Sequence, residues 1–292
     1  MNGLKYNIVM FAYNEQDNIE TSITSVFNST DEYLHRFYVI ANGCTDNTVS
    51  VANAVKQKLN FNELTVHEIE LGDKCNAWNT YVHELADEVA VHFFVDADVR
   101  FSSDCFPKMA EKLHASPEQT VIIAGMPLSG RNLDFYRSLV IERACFFGNL
   151  YGMKWSYIKR IREKPFYLPI GLNWIDSFLT KAANTNLAFG KKNLPNRTTW
   201  LEGVGYDFEK LSVFKLSDIR LYKNRIARYE LGKIQEVFLD QLPCEQWPRD
   251  MTPINEQIEA DFDQLAKHLG PIKKRMVRKR LTRLLNKKRN SA

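Results

Sequence analysis

Within 292 residues there is no Cys-x-x-Cys pair. The five cysteines, Cys44, Cys75, Cys105, Cys145 and Cys244, are odd in number and widely spread. That spacing encodes neither a zinc site nor a disulfide frame, and free thiols in a reducing cytosol are expected. No apolar run reaches the roughly 20 residues that a membrane-crossing helix needs. The start of the chain lacks the basic, apolar and cleavage regions of a secretory leader. Both absences point to a cytoplasmic protein. Acidic residues are missing altogether from 273–289, where ten Lys or Arg stand. The whole chain carries only +4, so without those ten cations the remainder stands at minus six. A mildly acidic body is joined to a strongly basic tail, and no nucleic-acid-binding motif accompanies that tail.

What is present is ordinary for a globular protein: 45% hydrophobic and 25% charged residues. The first part alternates strand and helix patterns. Apolar runs at 6–12, 37–41, 64–69, 89–95 and 121–125 read as strands. Between them Ile19, Ile23, Val26 and Phe27, then Val49, Ala52, Val55 and Leu59, then Ala77, Trp78, Tyr81, Val82 and Leu85 fall at helical spacing. Strand starts about one βαβ unit apart predict an α/β fold, a mostly parallel sheet with helices on both faces. Such sheets bind ligands at the carboxyl ends of their strands.

Polar residues collect at those ends: Tyr13-Asn14-Glu15, Asn42-Gly43-Cys44-Thr45-Asp46-Asn47-Thr48, Gly72-Asp73-Lys74 and Asp96-Ala97-Asp98. Turn chemistry and helix caps account for many loop residues of this kind. Lys74 is not a turn residue, however, and paired carboxylates at the tip of a buried strand are costly without a cation between them. A divalent ion carrying a diphosphate satisfies both observations.

In order and spacing these four loops resemble those of the family 2 glycosyltransferases, which have the GT-A fold. Phe11-Ala12-Tyr13-Asn14-Glu15 is similar to the family's first-strand motif. The loop 42–48 is similar to its Asp-Gly-Ser-Thr-Asp-Gly-Thr loop, and Gly72-Asp73-Lys74 with Ala77 and Asn79 to its Gly-Lys…Ala-x-Asn segment. Asp96-Ala97-Asp98 is similar to its Asp-x-Asp motif. The resemblance implies that Ala12, Tyr13, Asn14, Glu15, Asn42, Gly43, Asp46, Lys74, Asn79, Asp96, Ala97 and Asp98 bind a nucleotide-sugar donor. It also implies that Asp98 and Asp96 hold Mg²⁺ or Mn²⁺. Many members have an acidic pair where this chain has Ala41-Asn42, which leaves the nucleotide open, with UDP the default.

Further along, 134–161 is rich in Arg, aromatic and aliphatic residues and reads as a core helix, with an acceptor-facing helix as the other reading. Gly171-Leu172-Asn173-Trp174-Ile175-Asp176-Ser177-Phe178-Leu179 resembles the family's Glu-Asp-x-x-Leu motif, with Ile175 at the Glu position. The resemblance makes Asp176 the general base of an inverting transfer. Arg225-Ile226-Ala227-Arg228-Tyr229 resembles the Gln-x-x-Arg-Trp element, so Arg225, Arg228 and Tyr229 are expected at the pyrophosphate or acceptor; a solvated basic helix is the plain alternative. Trp200 with Glu202, and Trp247, are acceptor-side candidates, but as lone aromatics they read first as packing.

After two proline breakers, Ile258, Phe262, Leu265 and Leu269 suggest an acidic amphipathic helix. Ile272, Met276, Val277, Leu281, Leu284 and Leu285 then sit at helical spacing among the tail cations. A basic amphipathic helix over 272–289 is suited to an anionic membrane surface, each cation adding about 1 kcal/mol, with a merely solvated, frayed terminus as the other reading. The expected organisation is a catalytic domain over 1–250, with a nucleotide-sugar half (1–125) and an acceptor half (126–250), followed by a basic helical tail (251–292). The expected activity is metal-dependent transfer of a sugar from a nucleotide-sugar to a saccharide or lipid-linked acceptor, in bacterial surface glycan synthesis at the inner face of the membrane. A non-catalytic glycan- or nucleotide-binding relative, and a nucleotidyltransferase lacking its usual Gly-rich phosphate loop, are the rival readings.

Overall fold

The computed structural model describes residues 4–130, 132–190, 192–208 and 216–289. Its first strands are β1 (Tyr6–Ala12), β2 (Leu34–Asn42), β3 (Leu64–Ile69) and β4 (Val91–Asp96), separated by helices α1 (Ile19–Phe27), α2 (Thr48–Leu59) and α3 (Lys74–Thr80). A π-helical turn, Tyr81–Leu85, extends α3. β1 lies between β2 and β4 and runs parallel to both, and β3 lies parallel beside β2. Alternation along β1 explains the layering. Ile8 and Met10 enter a core with α1, α2 and the helix α4 (Cys105–Ala115), whereas Val9 and Phe11 enter the opposite core with Trp78 of α3. A strand buried on both faces has to be apolar at every position, and β1 is.

Beyond β4 the sheet is mixed. After β5 (Val99–Phe101) and β6 (Ile122–Pro127), the segment 134–161 differs from the expected single core helix. It forms α5 (Leu133–Arg143), β7 (Leu150–Lys154) and α6 (Trp155–Glu163). Ala144 takes a left-handed conformation (φ 51°) and ends α5. β7 then runs antiparallel between β4 and β6. Gly152 permits that insertion, since a Cβ there would lie 2.7 Å from the Phe93 ring and 2.8 Å from Ile123. A buried strand and a buried helix both read as apolar runs, which is why spacing alone misassigned 146–151. The strand β8 (Thr198–Phe208) closes on β6 in parallel and on β5 antiparallel, giving the order β3-β2-β1-β4-β7-β6-β8-β5.

The remaining helices stack on the Val9–Phe11 side: α7 (Ile175–Asn184), α8 (Leu216–Leu239), α9 (Thr252–Ala260), the short α10 (Phe262–Leu265) and α11 (Pro271–Arg289). The expected acidic helix is thus two pieces that meet at Asp261. The basic tail is helical as expected, but most of its apolar stripe faces inward. Val277, Leu281 and Leu285 are buried in the core against α8 and α9, whereas Ile272 at the start of the helix is 78% exposed, so the protein itself covers most of the surface assigned to a membrane. Trp247 is packing: it is 7% exposed among Phe166, Phe178 and Phe189, and its indole N–H donates to the Leu239 carbonyl at 3.0 Å.

One close approach fixes the loops at the strand ends. Gly43 has φ +64°, and a Cβ on it would lie 2.6 Å from the Gly72 backbone. Gly43→Ala combines a disfavoured conformation with a backbone clash. It should cost about 2 kcal/mol or more, read as a lowered urea midpoint at unchanged slope.

Candidate active site

The carboxyl ends of β1, β2 and β3 bring the first three loops together. Thr45 N–H donates to Asn14 Oδ1 at 2.8 Å, and Glu15 N–H to Thr48 Oγ1 at 2.8 Å, which stitches the first loop to the second. Asp46 closes the second loop by accepting from Thr48 N–H (3.0 Å) and Gln16 N–H (3.2 Å). Asn42 is 4% exposed and accepts from Asp73 N–H at 2.9 Å, bracing the third loop. The Tyr13 ring lies against Gly72 and is 56% exposed, an open aromatic face beside these loops. Ala12 is buried at the end of β1. Asn79 does not face the cleft: its amide N–H donates to Leu168 O at 2.8 Å and its Oδ1 accepts from Leu168 N–H at 3.0 Å. Asn79 therefore ties α3 to the 168 segment, and Asn42 and Asp46 shape the loop walls.

Asp73 organises the next layer. Its Oδ1 caps α3, accepting from Cys75 N–H (2.8 Å) and Asn76 N–H (3.3 Å), while its Oδ2 accepts from Gly171 N–H (3.0 Å). One carboxylate thus anchors the start of α3, where Lys74 sits, to the segment that leads into α7. Lys74 reaches across to pair with Asp96, the last residue of β4. Gly148, in the turn before β7, lies directly over the pair. A Cβ there would be 2.7 Å from Lys74 Nζ, 3.2 Å from Asp176 Oδ1 and 3.4 Å from Asp96 Oδ2. Lys74, Asp96 and Asp176 therefore converge on one point from three distant parts of the chain.

Asp176 stands in the first turn of α7, where the helix dipole favours a negative charge. Trp174 starts that helix in a left-handed conformation, φ 58°. Burial pushes the Asp176 carboxyl above its ordinary range and the nearby Asp96 adds to this, while Lys74, the Gly148 N–H and Arg228 oppose it. Burial disfavours the Lys74 charge, but Asp96 and Asp176 outweigh it and hold the ammonium protonated.

Asp98 lies beyond the end of β4, in the turn to β5, and Ala97 before it is fixed by a 2.7 Å hydrogen bond from Ser22 Oγ to its carbonyl. The surrounding protein and then the Asp96 charge push Asp98 upward, with Lys74 and Arg225 opposing. Glu15 is raised to about 7, first by burial and then by Asp98, Asp96 and Asp46. Several carboxyls thus crowd one edge, the arrangement that a cation relieves. Among the described residues no three His, Cys, Asp or Glu come close enough to hold an ion alone. Mg²⁺ and Mn²⁺ do not need them to, because such ions are commonly held by one or two carboxylates plus substrate phosphates. The donor set fits.

α8 closes the opposite wall. Gly232 touches the turn before α7, with a Cβ there only 2.6 Å from Trp174 Cβ, and the Tyr229 ring lies 5.7 Å from the Trp174 ring. Arg225 and Arg228 are exposed on this helix and act on Asp98 and on Asp176, respectively. Trp200 lies on β8 against the core, and Glu202 pairs with Arg137. Sequence reasoning missed Gly148, whose signal was a lone glycine four residues before another, and Asn173. Asn173 is 3% exposed and bound to Gln235 through both its backbone and its side chain.

The architecture matches solved glycosyltransferases. A mannosyltransferase from Pyrobaculum calidifontis, solved with GDP-Man and Mn²⁺, superposes with a TM-score of 0.61 over 100% of this chain and 77% of that one, at 18% identity. S. aureus TarS 1–349, solved with UDP-GlcNAc, gives 0.54 over 99% and 92% at 14% identity. GalNAc-T7, solved with UDP, GalNAc and Mn²⁺, gives 0.51 over 92% and 57% at 11% identity. At such identities the likeness is one of fold, the GT-A fold. Among curated protein sequences none matches. No helix among the described residues is long and apolar enough to cross a membrane. The sequence model of glycosyl transferase family 2 matches residues 7–171, more than half of the chain, and the protein belongs to that family.

Proposed function

We propose that the protein transfers a sugar from a nucleotide-sugar, with UDP as the default carrier, to an acceptor hydroxyl with inversion at the anomeric carbon. The observation that carries this reading is the convergence of Lys74, Asp96 and Asp176 beneath Gly148. A half-buried carboxylate there, its pKa raised above the ordinary range by burial, supports a general-base role beside the strand-end loops. The first two loops and Tyr13 take the base and ribose, and Lys74 lies toward the phosphates. Asp98 and Asp96 would hold Mg²⁺ or Mn²⁺, which supplies Lewis-acid neutralisation of the departing diphosphate. Asp176 accepts the proton of the acceptor hydroxyl. That oxygen forms the new bond to the anomeric carbon as the bond to the diphosphate breaks, and the nucleoside diphosphate leaves with the electron pair. Arg225, Arg228 and Tyr229 stand on the acceptor and diphosphate side.

The division into a donor half (1–125), an acceptor half (126–250) and a tail is part of this reading. So is a saccharide or lipid-linked acceptor in bacterial surface glycan synthesis. Attachment to an anionic membrane would rest on charge and on the exposed Ile272. Lys273 pairs with Glu230, and Lys274 and Arg278 pair with Asp263, which leaves Arg275, Lys279 and Arg283 exposed on α11.

The test is a thermal-shift screen of nucleotide-sugars with and without Mn²⁺, because a ligand that binds only the folded state raises its melting temperature. Asp98→Asn should abolish the Mn²⁺-dependent part of the shift while leaving the ligand-free melting temperature within a degree or two. An undiminished Mn²⁺ effect in that variant would remove Asp98 from the site.

A further inference from the structure

The cations of α11 fall into two classes. Lys273, Lys274 and Arg278 lie within ion-pair distance of Glu230 or Asp263. Arg275, Lys279, Arg280 and Arg283 have no such carboxylate among the described residues, and of these Arg280 is drawn into the protein. Its Nε donates to Asn173 Oδ1 at 2.6 Å, three residues before Asp176. Gln235 holds the same asparagine, accepting from Asn173 N–H at 2.9 Å, and Gln235 Nε2 donates to Asn255 Oδ1 at 2.8 Å. This polar junction joins α8, α9 and α11 to the turn before α7. It fixes the Arg280 guanidinium through one nitrogen and leaves its fork without a further partner among the described residues.

Two more guanidiniums face the same place. Arg283 follows Arg280 by three residues and so shares its side of the helix. Arg228 lies on the α8 stripe that continues through Gly232 and Gln235, and those two residues touch Trp174 and Asn173. Arg228 and Arg283 remain exposed. The nearby acid, Asp73, already accepts from three backbone N–H groups. Burial, and then the charges of Arg228 and Arg283, push the Arg280 guanidinium down to about 10, with Asp73 opposing. Like charges gathered beside a cleft call for an anion, and planar guanidinium forks match the oxygens of a phosphate.

We propose that Arg228, Arg280 and Arg283 form a phosphate-binding site on the edge of the donor cleft, two of its three guanidiniums supplied by the C-terminal helix. The inference rests on the reading of the cleft as a nucleotide-sugar site and extends it: the tail is a wall of the phosphate subsite. The anion is the diphosphate of the donor or the phosphate of a phosphorylated acceptor.

Calorimetric titration of inorganic pyrophosphate into the full chain tests this. Metal-free binding is expected. Arg283→Gln should weaken it about tenfold at an unchanged melting temperature, and Arg280→Gln at least as much. Arg280→Lys, which keeps the charge but not the fork, should recover part of the loss. Parental affinity in Arg283→Gln, or no metal-free binding by the parent, overturns the proposal. Mn²⁺ added to the parent should tighten pyrophosphate binding further, and an absent Mn²⁺ increment counts against the carboxylate assignment alone. Hexyl phosphate separates the sources: competition with saturating UDP identifies the donor diphosphate, and binding alongside UDP identifies a phosphorylated acceptor.

Discussion

Asp176→Asn is expected to bind a nucleotide-sugar as the parent does and to transfer it about a thousandfold more slowly. The substitution keeps size and shape in a packed site and removes only the ability to accept a proton. The pH dependence follows from the same environment. Burial raises the Asp176 pKa, so the base is lost to protonation at a higher pH than an exposed aspartate would be, and transfer should fall tenfold per unit below that point. Single-turnover transfer measured beside donor affinity separates the two effects. Normal transfer with normal affinity would move the base elsewhere.

Removal of residues 271–292 should unfold the protein or strip it of a cooperative transition. Val277, Leu281 and Leu285 are each no more than 3% exposed, and they cover α8 and α9. Burial of such side chains stabilises by roughly 1.5–3 kcal/mol each, and the exposed partner surface adds to the loss. The sum is a large share of the roughly 5–15 kcal/mol that holds a typical domain together. Leu281→Ala is the graded form and should cost about 2–5 kcal/mol in urea denaturation. A detachable membrane anchor gives the opposite result, a truncated chain that melts as the parent does.

The strand-end loops were legible because their signals are local. Each strand of the β3-β2-β1-β4 block reads as its own apolar run, and each loop residue follows its strand directly. Asp96 and Lys74 follow their strands in that way, and Asp98 lies in the turn just beyond β4. Asn79 matched a motif by position and turned out to hold Leu168, since spacing specifies where a side chain starts and not which backbone group takes it. The second half was less legible because its order is non-local. β7 pairs with a strand more than fifty residues earlier, as Phe93 opposite Gly152 illustrates. The tail misled for a related reason: an apolar stripe looks the same whether lipid or α8 covers it.

The placement of β7 also bears on how the molecule comes to exist. β4 is an inner strand only because β7 flanks it, so the first 125 residues alone would leave a long apolar rim with unpaired amides. Gly148 and Asp176 reach Lys74 only once that rim is sealed by a later stretch of chain. Pairings so distant in sequence close slowly, and the nascent donor region therefore stands open to self-association until synthesis has passed β7.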